Sequence, residues 1–296
     1  AMNKLSIIAF CCLLCTSGLS GQNSFWEQVP GPPGGTVDVF PTTKTDTIYG
    51  KAGINLYRSI DNGVNWSPFT VGFAGTPVSS AVDIGSKGTF FYKAGDYPYF
   101  RLYASASEGA DWHMLRDSIS NQYLIKETAS GSLIEVERPG AGPTMTVSRS
   151  VDGGLNWTTV LQHNIYGNGS GAYPGVISAI LDFPNGIIVL KSGRLLYRSD
   201  DDGQSWSVLS DPGLNERLAV TNSGTMLLYG NSGYYHRSTD GGMTWDSLLL
   251  SGQPSNPQKV NSLLALPSGQ ILCSDTAGNE LFHSDDDGLS WSKQSA

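Results

Sequence analysis

Cysteine is nearly missing from this chain. Three of its four cysteines, Cys11, Cys12 and Cys15, fall within the first 21 residues, and only Cys273 lies beyond them. A body of this length with one cysteine holds no internal disulfide and depends on packing for its stability. Charge is scarce as well: Asp, Glu, Lys and Arg make up 15% of the residues, the formal net charge is −8, and no run of Lys and Arg occurs. Binding to a nucleic-acid backbone requires a basic patch, so that class is excluded, and anionic lipid surfaces are excluded for the same reason. No segment sustains the 3, 4 and 7 apolar spacing of an amphipathic helix. Apart from Leu5 to Cys15 there is no long apolar run, and that one is too short to span a membrane. What the chain does hold is 36 glycines and 7 tryptophans, a mixture that suits many short strands joined by glycine turns.

The apolar run follows Lys4 and precedes Ser17, Gly18, Ser20 and Gly21. This is the order of an export signal. The expected division is a signal peptide over residues 1–21 and one domain over 22–296, exported to the periplasm, the cell surface or the medium. Lipid attachment is the weaker reading, because Phe10 and Leu14 precede Cys11 and Cys15 where a small residue is needed. Cys273, within Ile271-Leu272-Cys273, reads as a buried thiol.

Six segments share one eight-residue pattern, Ser-x-Asp-x-Gly-x-x-Trp, called the box below. Five are complete: Ser59, Asp61, Gly63 and Trp66; Ser150, Asp152, Gly154 and Trp157; Ser199, Asp201, Gly203 and Trp206; Ser238, Asp240, Gly242 and Trp245; and Ser284, Asp286, Gly288 and Trp291. The sixth, with Ser105, Gly109 and Trp112, has Ser107 in place of the aspartate. Successive box tryptophans are 46, 45, 49, 39 and 46 residues apart, the period of a four-stranded propeller blade of about 40–50 residues. Before the boxes, Gly88, Gly131, Gly186, Gly224 and Gly269 each sit between two apolar stretches and read as tight hairpin turns. The expected fold is an all-β propeller of six blades, each of four antiparallel strands, with seven blades as the alternative. In the fourth blade the strands are expected at 176–181, 187–190 and 195–198, then the box. Trp26 has no box before it and reads as an added strand beside residues 291–296.

The box has a local logic. Its Ser and Asp accept hydrogen bonds from backbone N–H groups of the turn, its Gly takes a shape other residues resist, and its Trp packs on the hairpin. All box residues are therefore read as structural. The boxes resemble those of the Asp-box superfamily, which includes sialidases, sortilin-type receptors, xyloglucan-cleaving glycosidases and photosystem II assembly-factor propellers. The resemblance covers nearly the whole chain after residue 21 and implies the propeller fold, but these families share the box while doing different things.

A sialidase resemblance would imply three arginines on the substrate carboxylate, an Asp acid and a Tyr–Glu nucleophile pair. The Arg-Ile-Pro motif of that family is absent, and residues 22–57 hold no arginine. Arg58, Arg149, Arg198 and Arg237 each precede a box Ser and occupy one repeated slot, so they do not form a triad. Arg101, Arg116, Arg138, Arg194 and Arg217 lie outside that slot. No motif marks the pair of carboxyls, about 5–10 Å apart, that a glycosidase needs. Asp200-Asp201-Asp202-Gly203 and Asp285-Asp286-Asp287-Gly288 lack the spacing of a calcium loop, and His113, His163, His236 and His283 are scattered. No catalytic residue, metal or cofactor is expected.

In a four-stranded blade the box and the glycine turn share one end, and the remaining loops share the other. Those other loops vary in length and chemistry, as binding loops do. The ligand-binding candidates are Tyr97, Tyr99, Phe100 and Arg101 in one loop, Tyr166 and Tyr173 in the longest interval, and Arg138, Arg194, Glu216, Arg217 and Tyr234 at the same end. The expected function is that of a non-catalytic exported propeller that binds a protein or a glycan there. A sialidase-like glycoside hydrolase is the alternative.

Overall fold

The computed structural model describes residues 37–40, 47–52, 55–61, 63–68, 82–96, 99–120, 122–138, 144–164, 177–183, 186–193, 195–210, 217–221, 223–229, 234–249, 260–266, 268–275 and 281–293. These form 24 strands and, among the described residues, no helix. Sheet 1 is β1 (Val37–Phe40), β2 (Ile48–Ala52), β3 (Asn55–Ser59) and β4 (Ser67–Pro68). Sheet 2 is β5 (Val82–Ile84), β6 (Phe90–Asp96), β7 (Tyr99–Ser105) and β8 (His113–Ile119). Sheet 3 is β9 (Tyr123–Glu127), β10 (Leu133–Glu137), β11 (Thr144–Ser150) and β12 (Thr158–Asn164). Sheet 4 is β13 (Ile177–Asp182), β14 (Ile188–Ser192), β15 (Leu195–Ser199) and β16 (Ser207–Ser210). Sheet 5 is β17 (Arg217–Val220), β18 (Met226–Tyr229), β19 (Tyr234–Ser238) and β20 (Asp246–Leu249). Sheet 6 is β21 (Val260–Ala265), β22 (Ile271–Asp275), β23 (Leu281–Ser284) and β24 (Ser292–Lys293).

In every sheet the four strands are neighbours in sequence order. This is the six-bladed β-propeller expected from the repeat. The strands of the fourth sheet begin and end within two residues of their expected bounds. Trp26 lies outside the described residues.

The chain groups into two compact units. One comprises Ala1–Tyr123, Glu127–Leu133 and Ser150–Trp157, and the other Leu124–Lys126, Ile134–Arg149 and Thr158–Ala296. The first holds sheets 1 and 2 and the box turn of sheet 3. Its core is Tyr49, Phe90 and Tyr92, with the Tyr49 and Phe90 rings edge to face at 4.9 Å.

The second unit shows why the inner strands carry consecutive apolar residues. Successive side chains of a strand face opposite ways, and here both faces are covered. Ile188 and Leu190 of β14 pack with Ile134, Val136, Met145 and Val147 of sheet 3. Val189, between them, packs with Met226 and Leu228 of sheet 5. Leu227, Tyr229 and Tyr235 of sheet 5 then pack with Ile271, Cys273 and Phe282 of sheet 6. Cys273 is the buried free thiol expected. The five turn glycines all have positive φ, from 81° to 95°. Each donates its N–H to the residue three earlier, as Gly186 does to the Phe183 carbonyl at 2.9 Å. Among the described residues no helix is long and apolar enough to cross a membrane.

Candidate functional site

The box aspartates of sheets 1, 3, 4, 5 and 6 are held by their own turns. In sheet 3, Ser150 Oγ accepts the Gly154 N–H at 2.9 Å and donates to Asp152 Oδ1 at 2.8 Å. Asp152 Oδ1 takes the Asn156 N–H at 2.9 Å, and its Oδ2 takes the Asn156 side-chain amide at 2.7 Å. Trp157 Nε1 closes the turn on the Gly154 carbonyl at 2.9 Å. The carboxylate contacts recur at Asp61, Asp201, Asp240 and Asp286, where the second oxygen is held by Asn65, Ser205, Thr244 and Ser290, and the tryptophan contact recurs at Trp66, Trp206 and Trp245. These contacts hold the carboxyls low. Asp152 lies at about 2, chiefly through the Asn156 N–H, then the Asn156 amide and the Ser150 hydroxyl. Asp286 lies at about 2 through the Ser290 hydroxyl and N–H. Partial burial pushes Asp240 up, but Thr244 and Ser238 outweigh it and leave the group at about 2. A carboxylate committed in this way has three of its about four acceptor sites filled by its own turn.

The arginines of the repeated slot are also committed. Each reaches the fourth residue of the next box, which sits at positive φ. Arg149 donates to the Asp202 carbonyl at 2.6 Å and to its carboxylate at 2.5 Å. Arg237 does the same to Asp287 at 2.9 and 3.1 Å. Arg58 reaches the Glu108 carboxylate at 3.3 Å, beside the Tyr49 hydroxyl at the same distance. Arg198 meets the carbonyl of Gly241 at 2.9 Å and pairs with Asp200. Glu108, Asp202 and Asp287 have φ of 53°, 58° and 60°, a region uncommon for residues with a Cβ. At Asp202 and Asp287 the arginine latch supports that shape with one contact to the carbonyl and one to the side chain, and at Glu108 with a contact to the side chain. Sheet 2 has Ala104 in the slot, and the next box has Gly153 at its fourth place. There Glu127 accepts the Lys87 N–H at 2.8 Å and the Thr89 hydroxyl at 2.6 Å instead. The Arg116 guanidinium lies 4.5 Å from the centre of a Trp157 ring, a cation–π contact.

The opposite end of sheet 2 differs from the other sheets. β6 and β7 pair over seven residues, from Phe90↔Ser105 to Asp96↔Tyr99, whereas β14 and β15 pair over five. At about 3.4 Å per residue the second hairpin of sheet 2 is longer by about 7 Å. β8 follows it outward through a bulge. Phe100 faces Ile119 and Leu102 faces Arg116, so Asp117 and Ser118 together oppose Arg101. Ser118 has φ 64°. Arg101 Nε donates to Asp117 Oδ1 at 2.8 Å, and both side chains are more than half exposed. Asp117, and then Tyr103, raise the arginine further above its ordinary range. The Lys93 ammonium stands 4.3 Å from the centre of the Phe100 ring and donates to the Ser120 carbonyl at 2.9 Å. Phe100, Arg101, Lys93 and Asp117 thus form a braced tip, carried on three strands.

The remaining candidates fall elsewhere. Arg217 begins β17, exposed, with Tyr229 opposite on β18. Burial raises the Tyr229 hydroxyl, against the Arg217 charge. Arg138 follows β10 and is buried. Tyr99 and Tyr234 lie on β7 and β19. Tyr97, Tyr166, Tyr173, Arg194 and Glu216 lie outside the described residues. Lys93, Asp117 and Ser118 were not among the candidates read from sequence. The only signal for them was the unusual length of the two strands before the box. Among the described residues no group of His, Cys, Asp and Glu could hold a metal.

No family model matches the chain, and no curated protein matches it. Solved structures do. It is similar to YCF48 bound to D1 peptide, at 18% identity over 90% of this chain and 88% of that one, with a TM-score of 0.58. It is similar to virginiamycin B lyase from Staphylococcus aureus, at 10% identity over 87% and 83%, with a TM-score of 0.57. It is also similar to an ancestral GH74 enzyme, at 17% identity over 92% of this chain and 40% of that one, with a TM-score of 0.57. At these identities the likeness is one of fold: the protein is a β-propeller.

Proposed function

We propose that this protein is an exported Asp-box propeller that binds a partner protein and catalyses nothing, using the loop end opposite the boxes. The observation that carries this reading is the braced tip of sheet 2. Its aromatic and charged side chains are exposed or half-exposed on a pinned backbone, whereas the box carboxylates are consumed. Rigid aromatic and arginine anchors are what protein interfaces favour. Strain such as that at Ser118 tends to collect at functional sites. One propeller of similar fold has been solved with a peptide bound, which supports a peptide-like ligand over a glycan.

The test presents the purified chain with a displayed peptide library and with a glycan array. Peptides should be retained, and Phe100→Ala or Arg101→Ala should each weaken the best of them by roughly 1–3 kcal/mol. Retention of glycans alone would move the ligand class to carbohydrate. Cleavage of a sialoside or a β-glucan, abolished by changing one carboxylate, would replace the binder with a glycoside hydrolase.

A further inference from the structure

Sheets 5 and 6 expose one apolar residue on the box turn, Met243 and Leu289 at the sixth place, whereas the box turns of sheets 1 and 3, in the first unit, expose two. Sheet 1 presents Ile60 and Val64 at the second and sixth places of its box, 69% and 42% exposed. Sheet 3 presents Val151 and Leu155 at the same places, 68% and 80% exposed. Between them, sheet 2 presents the small Ala106 and Ala110, both exposed. The three turns are linked flank to flank. Arg58 of sheet 1 reaches Glu108 in the turn of sheet 2. A Cβ on Gly154, in the turn of sheet 3, would come 2.5 Å from Leu115 of β8.

The middle turn also carries a displaced acid. At the seventh place the other five boxes have Asn65, Asn156, Ser205, Thr244 and Ser290, whose side chains all donate to the box aspartate. Sheet 2 has Asp111 there, and a carboxylate cannot act as that donor. Its N–H is taken by Ser107 Oγ at 3.0 Å, while its side chain is exposed and makes no hydrogen bond or ion pair among the described residues. The turn has lost an acid where it would be consumed and kept one where it is free.

We propose that these three turns form a second docking surface, for a basic amphipathic segment of a partner protein. A lysine or arginine of the partner meets Asp111, and its apolar side chains rest on the Ile60–Val64 and Val151–Leu155 pairs. Charge selects this occupant. A carboxylate set among apolar side chains complements a cation on an apolar face. It repels anionic lipid headgroups, and a second copy of the chain would bring its own Asp111 and its own net charge of −8. The surface belongs to the box end of the sheets and stands whether or not the loop end binds a ligand.

The test uses the full chain and a labelled Leu/Lys peptide of helical periodicity, with a scrambled isomer of the same composition. The helical peptide should bind, and the scrambled one roughly tenfold more weakly. Asp111→Ser and Leu155→Ser should each weaken binding roughly tenfold. Asp111→Ser should melt no lower than the parent, because serine fills this place in sheets 4 and 6. Equal binding of both isomers, or equal binding by both variants, would overturn the proposal. So would attachment to phosphatidylcholine vesicles, or a dimer that Leu155→Ser dissolves, without peptide binding.

Discussion

The box turns of sheets 2 and 3 share a backbone, and at the third place one has Ser107 where the other has Asp152. In both, the serine hydroxyl holds the glycine N–H at 2.9 Å. In both, the third residue accepts the N–H of the seventh, through Ser107 Oγ at 3.0 Å or Asp152 Oδ1 at 2.9 Å. The carboxylate adds a second acceptor, which Asn156 fills, and a charge that the hydroxyl lacks. The turn is therefore shaped by its Ser and Gly, and the aspartate strengthens a shape already set.

That ordering has consequences, and the largest falls on the glycine. Gly154→Ala places a Cβ 2.5 Å from Leu115 at φ 91°, and should cost about 2–4 kcal/mol in denaturant unfolding. A cost no larger than that of losing the acid would reverse the order. The acid comes next. Asp240→Ala should cost about 1 kcal/mol, and Ser107→Ala in sheet 2 less, compared in the same unfolding series. Hydrogen exchange should be faster at the Asp111 N–H than at the Asn156 N–H.

The comparison can also be read by pH. Asp152 is lowered from 3.8 to about 2 on folding, so its contribution is complete above the unfolded value and fades as pH falls through that window. Asp152→Ser, which copies the third place of the turn of sheet 2, should be less stable than the parent at pH 5 and converge with it as pH falls below about 2. A gap that persists in acid would mean that the aspartate acts through packing. The smallest effect is expected from Ala104→Arg with Gly153→Asp, which installs the missing latch. The ion pair and the cost of a Cβ at positive φ should offset each other to within about 0.5 kcal/mol.

Much of this was legible beforehand, because repetition is legible. Six tryptophans at blade spacing gave the sheet count, and the glycines before the boxes gave the hairpins. The arginine slot could be seen as a repeat, which ruled out a triad, but its target could not. The pairing of Arg149 with Asp202 joins residues 53 apart, and only the packing of consecutive sheets brings them together. The braced tip was half visible. Phe100 and Arg101 stood out by type, whereas Lys93 and Asp117 matter through a bulge and a cross-strand register that local pattern does not encode. Asp111 belongs to no motif, and its free carboxylate shows only against the side-chain donors at the seventh place of the other boxes.

The latch also bears on the order in which the chain can fold as it is synthesised. Each box closes on itself within eight residues, so its turn can form while the chain is still short. Each slot arginine must wait for a partner 43 to 53 residues further on. Sheets 1, 3, 4 and 5 are thus each made with one contact in arrears, settled when the successor arrives. A chain cut after Leu249 would keep the four strands of sheet 5 and leave Arg237 without Asp287, and its last blade should be the first to open in a proteolysis time course.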